Sequence, residues 1–156
     1  MMPTPEENLA ELGLALPEVV APVAAYVPAV RTGSYVYTSG QLPMRDGALI
    51  KTGKVGADVT GEEAYECARL CALNALAAVA SQAGGDLSRV ARVVKAVVFV
   101  ASTPDFTGQP LVANGASELL AGVFGDAGAH ARSAVGVSVL PLDAPVEVEL
   151  VVELTA

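Results

Sequence analysis

Val146, Val148, Leu150, Val152 and Leu154 occupy every second position of the stretch Val146–Leu154, with Glu147, Glu149, Val151 and Glu153 between them. A period of two sends successive side chains to opposite faces of a strand, so the five residues of the first set lie on one side. The pattern commits the chain to a sheet with one face buried, and the rest of the sequence must supply the cover. A second alternation precedes it: Val135, Val137 and Val139 point one way, while Arg132, Ala134, Gly136 and Ser138 point the other. Residues 140–145 supply a turn between the two, and an antiparallel hairpin is expected.

Two helical stretches provide the cover. Thr60 with Glu63 makes a capping box, and residues 62–83 then read as a long alanine-rich helix with a broad apolar surface, closed by Gly84-Gly85. Pro110 opens a second helix in which Val112, Ala116, Leu119, Leu120, Val123 and Phe124 recur at helical spacing until Gly125. Between them, residues 90–101 are rich in valine, with Arg92 and Lys95 near the start, the composition of a mostly buried strand. Upstream, residues 29–31 and 35–39 read as strands joined at Thr32-Gly33, and residues 47–50 as a short strand after the Arg45-Asp46-Gly47 turn. The order of strands, helix, strand, helix and two strands predicts an α+β domain, with two main helices on one face of a mixed sheet. Thr4, Pro5 and Glu7 cap a short first helix ended by Gly13, and residues 14–28 should run extended. We therefore read residues 1–25 as an N-terminal helix and arm, and residues 26–156 as one packed domain.

Composition narrows the function. With 53% apolar and 17% charged residues the chain is not disordered, and its apolar surplus can line an interface as well as a core. Seventeen Asp and Glu against nine Lys and Arg give a net charge of −8, with no basic cluster for phosphate backbones or anionic membranes. Residues 12–30 are weakly charged, but Pro17, Pro22 and Pro28 would each break a membrane-spanning helix. Glu6, Glu7 and Glu11 stand where a secretory signal needs basic residues, so a cytoplasmic protein is expected. Cys67 and Cys71, one helical turn apart, are poorly placed for a disulfide and read as reduced core residues.

One histidine and two cysteines are too few for a zinc site, and Glu147, Glu149 and Glu153 read as a solvated strand face, so no metal site is expected. The segment from Gly47 through Gly53-Lys54 misses the phosphate-loop spacing and reads as a turn. A catalytic triad would have to recruit His130 with Ser133 or another serine, and a surface histidine is the simpler expectation. Arg132 is different, because Ala134, Gly136 and Ser138 on its own face leave space beside a guanidinium whose planar fork can hold a carboxylate. From the residues alone, an ion pair with Glu147, Glu149 or Glu153 across the hairpin is the competing expectation.

Taken together, residues 35–43 (YVYTSGQLP), 92–100 (RVVKAVVFV), Asn114, residues 130–137 (HARSAVGV), Leu140-Pro141 and Glu147-Val148-Glu149 resemble the Rid family of reactive intermediate deaminases, also called YjgF-like. The likeness runs from Tyr26 to Leu154. It implies a chorismate-mutase-like α+β fold and a homotrimer with active sites between subunits. It also implies hydrolysis of 2-imino acids, such as 2-iminopropanoate and 2-iminobutanoate, to 2-oxo acids and ammonia without a cofactor. By the same resemblance, Arg132 binds the substrate carboxylate and Glu147 places water near the imine carbon. Tyr26 forms the cleft wall, Ser39 and Gly40 line the pocket with their backbone, and Asn114 is a pocket-side asparagine.

Three features depart from the family pattern: Ala134, where many deaminating members carry cysteine; the longer approach to the second helix through residues 107–110; and the arm before Tyr26. The alternative function is a non-catalytic trimer that binds or senses a small carboxylate. The family's other label, endoribonuclease, ranks last because the acidic chain lacks interleaved aromatics and Lys/Arg.

Overall fold

The computed structural model describes residues 2–22 and 24–156. A short helix α1 (Pro5–Glu11) opens the chain, with Thr4 and Glu7 closing the capping box in both directions. After the N-terminal arm, which bends at residues 24–26, come β1 (Ala29–Thr32), β2 (Tyr35–Thr38), β3 (Met44–Arg45) and β4 (Ala48–Leu49), then helix α2 (Gly61–Ser81). Strand β5 (Val90–Ala101), helix α3 (Gln109–Phe124) and strands β6 (Ala131–Val137) and β7 (Val146–Leu154) complete it. The main sheet has the order β1-β2-β7-β5-β6, while β3 and β4 pair only with each other. Residues 47–50 thus contribute to a separate small hairpin, not to a third strand of the main sheet, and its turn places Asp46 and Gly47 at positive φ. The first hairpin turns at Gly33-Ser34, one residue later than expected, because Thr32 pairs with Tyr35.

The alternation in β7 does what a period of two requires: every apolar residue from Val146 to Leu154 in the first set is buried, and the residues between are partly exposed. Helix α2 packs on that buried face, and α3 packs on α2 and the β5–β6 side. From Leu70 to Ala80 every residue of α2 is buried, as expected of a helix covered on several sides. Small residues permit this. A Cβ at Gly115 of α3 would overlap the carbonyl oxygen of Tyr65 in α2, so only glycine allows the two backbones to approach so closely. Cys67 and Cys71 are free thiols in this core; burial pushes Cys67 up to about 11 and Cys71 well above its ordinary value.

The expected β6–β7 hairpin does not form. Strand β5 lies between them, running parallel to β6 and antiparallel to β7. The physical reason is the β5–α3–β6 unit, in which a helix carries the chain back over the sheet and returns the next strand parallel to the first. Residues 138–145, including a short 3₁₀ turn at Pro141–Asp143, then cross to the middle of the sheet.

Candidate functional site

Arg132 lies on the edge strand β6 and is the register partner of Ala96, which is buried on the helix-covered face. Its side chain therefore turns toward α3. There Nη1 donates to Asn114 Oδ1 at 2.8 Å and Ser117 Oγ at 3.1 Å, and Nη2 donates to the Pro110 carbonyl at 3.3 Å. Pro110, Asn114 and Ser117 form one stripe of α3, spaced four and three residues apart. All three acceptors are neutral. Among the described residues no carboxylate lies within ion-pair distance of Arg132, and the ion pairs are Lys51–Glu63 and Lys54–Asp143. Of the five N–H bonds of a guanidinium, Nε–H and one on Nη2 are left for a ligand, a pair that can grip a carboxylate.

The ion pair with Glu147, Glu149 or Glu153 fails for the same reason the hairpin does. Those carboxylates stand on β7, with β5 intervening; Glu147 pairs with Phe99 and Glu149 with Val97, both on the open face opposite the helices. Two strand spacings, roughly 10 Å, and the thickness of the sheet separate Glu147 from Arg132 within one chain.

Glu147 has neighbours of its own. Between the ladder pair Tyr37–Val151 and the bridge Gln41–Val148, the β2 chain advances four residues and β7 three, leaving one extra residue as a bulge. Thr38 Oγ1 accepts from the Leu150 N–H at 3.0 Å, filling the place of a ladder bond. Ser39 and Gly40 sit in this bulge. Ser39 is tied to the arm, its hydroxyl donating to the Val27 carbonyl at 2.5 Å and its N–H to the Pro28 carbonyl at 2.8 Å. The Glu147 carboxylate lies over Gly40, where any Cβ would overlap it. Burial, followed by the negative charge of Glu149, raises the Glu147 carboxyl above its ordinary value.

Tyr26, 45% exposed, stands with Gly40 and Gln41 around a small, open cleft whose other wall is Val20, Ala21 and Pro22 of the arm. Asn74 of α2 donates to the carbonyls of Leu42 and Met44, both at 3.0 Å, and so fixes the segment leaving the bulge. The structure thus gathers the six candidate residues into two groups: Arg132 with Asn114, and Glu147 with Gly40, Ser39 and Tyr26. It does not bring the groups together within one chain.

His130 is half-buried, not a surface histidine, and its partner is Ser117 rather than Ser133. Nε2 lies 2.8 Å from Ser117 Oγ and Nδ1 lies 2.6 Å from the Gly128 carbonyl oxygen. A carbonyl, not a carboxylate, orients the ring, so a Ser/His/Asp triad is absent here. Ser133 pairs with Val97 on the open face. Ser117 and the Pro110 carbonyl were not singled out from the sequence, although their spacing around Asn114 on an amphipathic helix is the signal that finds them. The longer approach at residues 107–110 belongs to this group too, since it opens α3 and brings Pro110 to Arg132. Ala134 is partly buried against the core. Among the described residues no group of three or more His, Cys, Asp or Glu side chains converges to hold a metal, and no helix is long and apolar enough to cross a membrane.

A family model described as "YjgF/chorismate_mutase-like, putative endoribonuclease" matches residues 6–154. The chain belongs to the YjgF family. Protein TCP17 of Trypanosoma cruzi is 50% identical over 148 residues, covering 94% of this chain and 92% of its own. The crystal structure of Atu1372 from Agrobacterium tumefaciens, a protein described as of unknown function, superposes with a TM-score of 0.91 at 48% identity, over 97% of this chain and 94% of that one. A 2-iminobutanoate/2-iminopropanoate deaminase of Dermatophagoides farinae is 30% identical over 139 residues, 89% of this chain and 93% of its own. The α+β fold with a mixed sheet is that of the YjgF family.

Proposed function

We propose that the protein hydrolyses small 2-imino acids to 2-oxo acids and ammonia, at sites formed between copies of the chain in a homotrimer. The observation that carries this reading is the state of Arg132, a half-buried guanidinium held by three neutral acceptors, with N–H groups left over and no carboxylate beside it. Such a cation is organised for an anion that arrives from outside the chain. The likeness to a 2-iminobutanoate/2-iminopropanoate deaminase supports a 2-imino acid as the ligand.

In this reading Arg132 binds the substrate carboxylate and so fixes the imine carbon bonded to it. A water adds to that carbon, forming a C–O bond as the C=N double bond becomes single. Proton transfer to nitrogen then lets the C–N bond break, releasing ammonia and leaving the 2-oxo acid. Glu147 moves these protons, and burial, which raises its carboxyl above the ordinary value, makes it hold a proton more readily than an exposed glutamate does. Orientation supplies much of the rest, since an imine is already electrophilic. Tyr26, Ser39 and Gly40 form the wall beside Glu147, and Asn114 braces the anchor.

In this reading the separation of Arg132 from Glu147 calls for a second copy, and the open face supports one. Val30, Tyr35, Tyr37 and Val135 are each exposed on it, with Phe99 and Val151 between them. Apolar and tyrosine side chains gathered on one face mark an association surface.

The alternative is a trimer that binds a small carboxylate through Arg132 without turnover, and the absence of a thiol at Ala134 favours it. Turnover decides. Freshly generated 2-iminopropanoate and 2-iminobutanoate are expected to release ammonia faster with the protein than spontaneously, and Arg132→Ala is expected to remove the acceleration. A folded protein that gives none would overturn the deaminase reading.

A further inference from the structure

His130 and Ser117 are not used by the chemistry above, yet they form a continuous hydrogen-bonded chain with its anchor. The polarity of that chain follows from one group that cannot change. The Gly128 carbonyl can only accept, so the Nδ1 atom 2.6 Å away carries the proton. In the neutral ring Nε2 is then bare and must accept, so the Ser117 hydroxyl, 2.8 Å away, donates to it. With its proton directed at His130, Ser117 Oγ turns its lone pairs elsewhere, and one of them receives Arg132 Nη1 at 3.1 Å. Asn114 Oδ1 takes the other Nη1 proton at 2.8 Å.

We infer that Ser117 and His130 are positioning residues for Arg132: the imidazole sets the direction of the Ser117 hydroxyl, and the hydroxyl holds the inner edge of the guanidinium so that the remaining N–H groups face an incoming carboxylate. The inference rests on the reading of Arg132 as a carboxylate anchor. A serine alone would not do this, because a free hydroxyl rotor can turn its own proton toward Arg132 and repel it. His130 removes that freedom. Neither residue touches the ligand, so the pair acts on how well the carboxylate is bound and not on the bond-making step.

Three consequences can be measured. The chain has a single histidine, so its ring nitrogens are unambiguous in a long-range ¹H–¹⁵N spectrum of the free protein. In the neutral ring the expected form carries the proton on Nδ1; a proton on Nε2 would overturn the inference. Next, calorimetry with 2-oxobutanoate is expected to show binding weakened about tenfold in Ser117→Ala and in His130→Phe, the loss of one partly buried hydrogen bond. Ser117→Thr, which keeps the hydroxyl, is expected to restore it, and the neutral analogue 2-oxobutanamide should bind wild type and Ser117→Ala alike. Last, with 2-iminobutanoate, Ser117→Ala should raise KM by a similar factor while kcat stays within about twofold, the signature of lost uniform binding. Unchanged 2-oxobutanoate affinity in folded Ser117→Ala, or an equal loss for the carboxamide, would overturn the inference. Wild-type protein that binds 2-oxobutanoate but hydrolyses no imine would sink the deaminase reading alone, and the affinities would still decide the positioning role. Failure of the wild type to bind 2-oxobutanoate would overturn both.

Discussion

The two groups of candidate residues are built in opposite ways. Around Arg132, the guanidinium donates three directed hydrogen bonds to one rigid element, accepted by two side chains and a carbonyl of α3, with His130 behind one of them. Around Glu147 the structure makes room instead, with a glycine beneath the carboxylate, a bulge that turns Ser39 and Gly40 out of the ladder, and partial burial that raises the carboxyl. The first arrangement suits a group that must stay charged and stay still. The second suits a group that must exchange a proton and shift slightly as it does so. The proposed imine hydrolysis calls for one of each, and the two groups lie on opposite faces of the sheet.

The sharpest way to break the comparison is to remove the anchor. Arg132→Ala should lower kcat/KM for 2-iminobutanoate by at least about a hundredfold, the worth of two charge-assisted hydrogen bonds, with an unchanged circular dichroism spectrum. Glu147→Gln should act on kcat instead, by on the order of a hundredfold, with KM little changed. It should also act on stability with a definite sign. A carboxyl raised by burial disfavours the folded state wherever it is ionised, so Glu147→Gln should raise the melting temperature at pH 7. That gain should shrink as pH falls through the raised carboxyl and vanish below the ordinary glutamate value of about 4.3. A gain that persisted at low pH would reassign the effect to packing.

Gly40→Ala sharpens the comparison from the other side. Its Cβ would meet the mobile end of Glu147 and not the backbone, so the fold should survive while kcat drops about tenfold through displacement of the carboxylate. The smallest expected effect is a control outside both groups. Thr60→Ala removes the capping box of α2, in which Thr60 and Glu63 bond each other's backbone, and should cost about 1 kcal/mol of stability in a denaturant titration with kcat/KM unchanged.

Most of the fold was legible because its signals are local. The alternation in β7, the capping boxes at Thr4 and Thr60, and the terminating Gly125 each specify an element from a few neighbouring residues, and each stands where the sequence places it. Strand partnership is not local in that sense. Residues 131–154 contain two alternating strands in succession, which read as a hairpin, yet β5 separates them. The cue was one level up, in the strand–helix–strand order of β5, α3 and β6, which favours a parallel neighbour. Residues 138–145 are also longer than the tight turns that commonly join hairpin strands.

The candidate site divides along the same line. The small residues after Arg132 leave space for a ligand, but from the residues alone an ion pair competes and the family resemblance is what marks Arg132 as the candidate anchor; its α3 partners and the face on which Glu147 lies depend on register. His130 shows the limit from the other direction: the sequence offered Ser133 as its near neighbour, and the fold supplied Ser117 from a different element.

The most direct measurement is complementation between two inactive variants. Arg132→Ala retains Glu147 and Glu147→Gln retains Arg132, so a site formed between copies regains both groups wherever the variants meet in the right order. Co-expressed in equal amounts and purified together, they should recover about a quarter of the wild-type 2-iminobutanoate hydrolysis, the fraction of interfaces with that pairing in a randomly mixed cyclic assembly. If mass spectrometry shows mixed assemblies, wild type is active, and the mixture remains at background, the site does not lie between copies and the central claim fails.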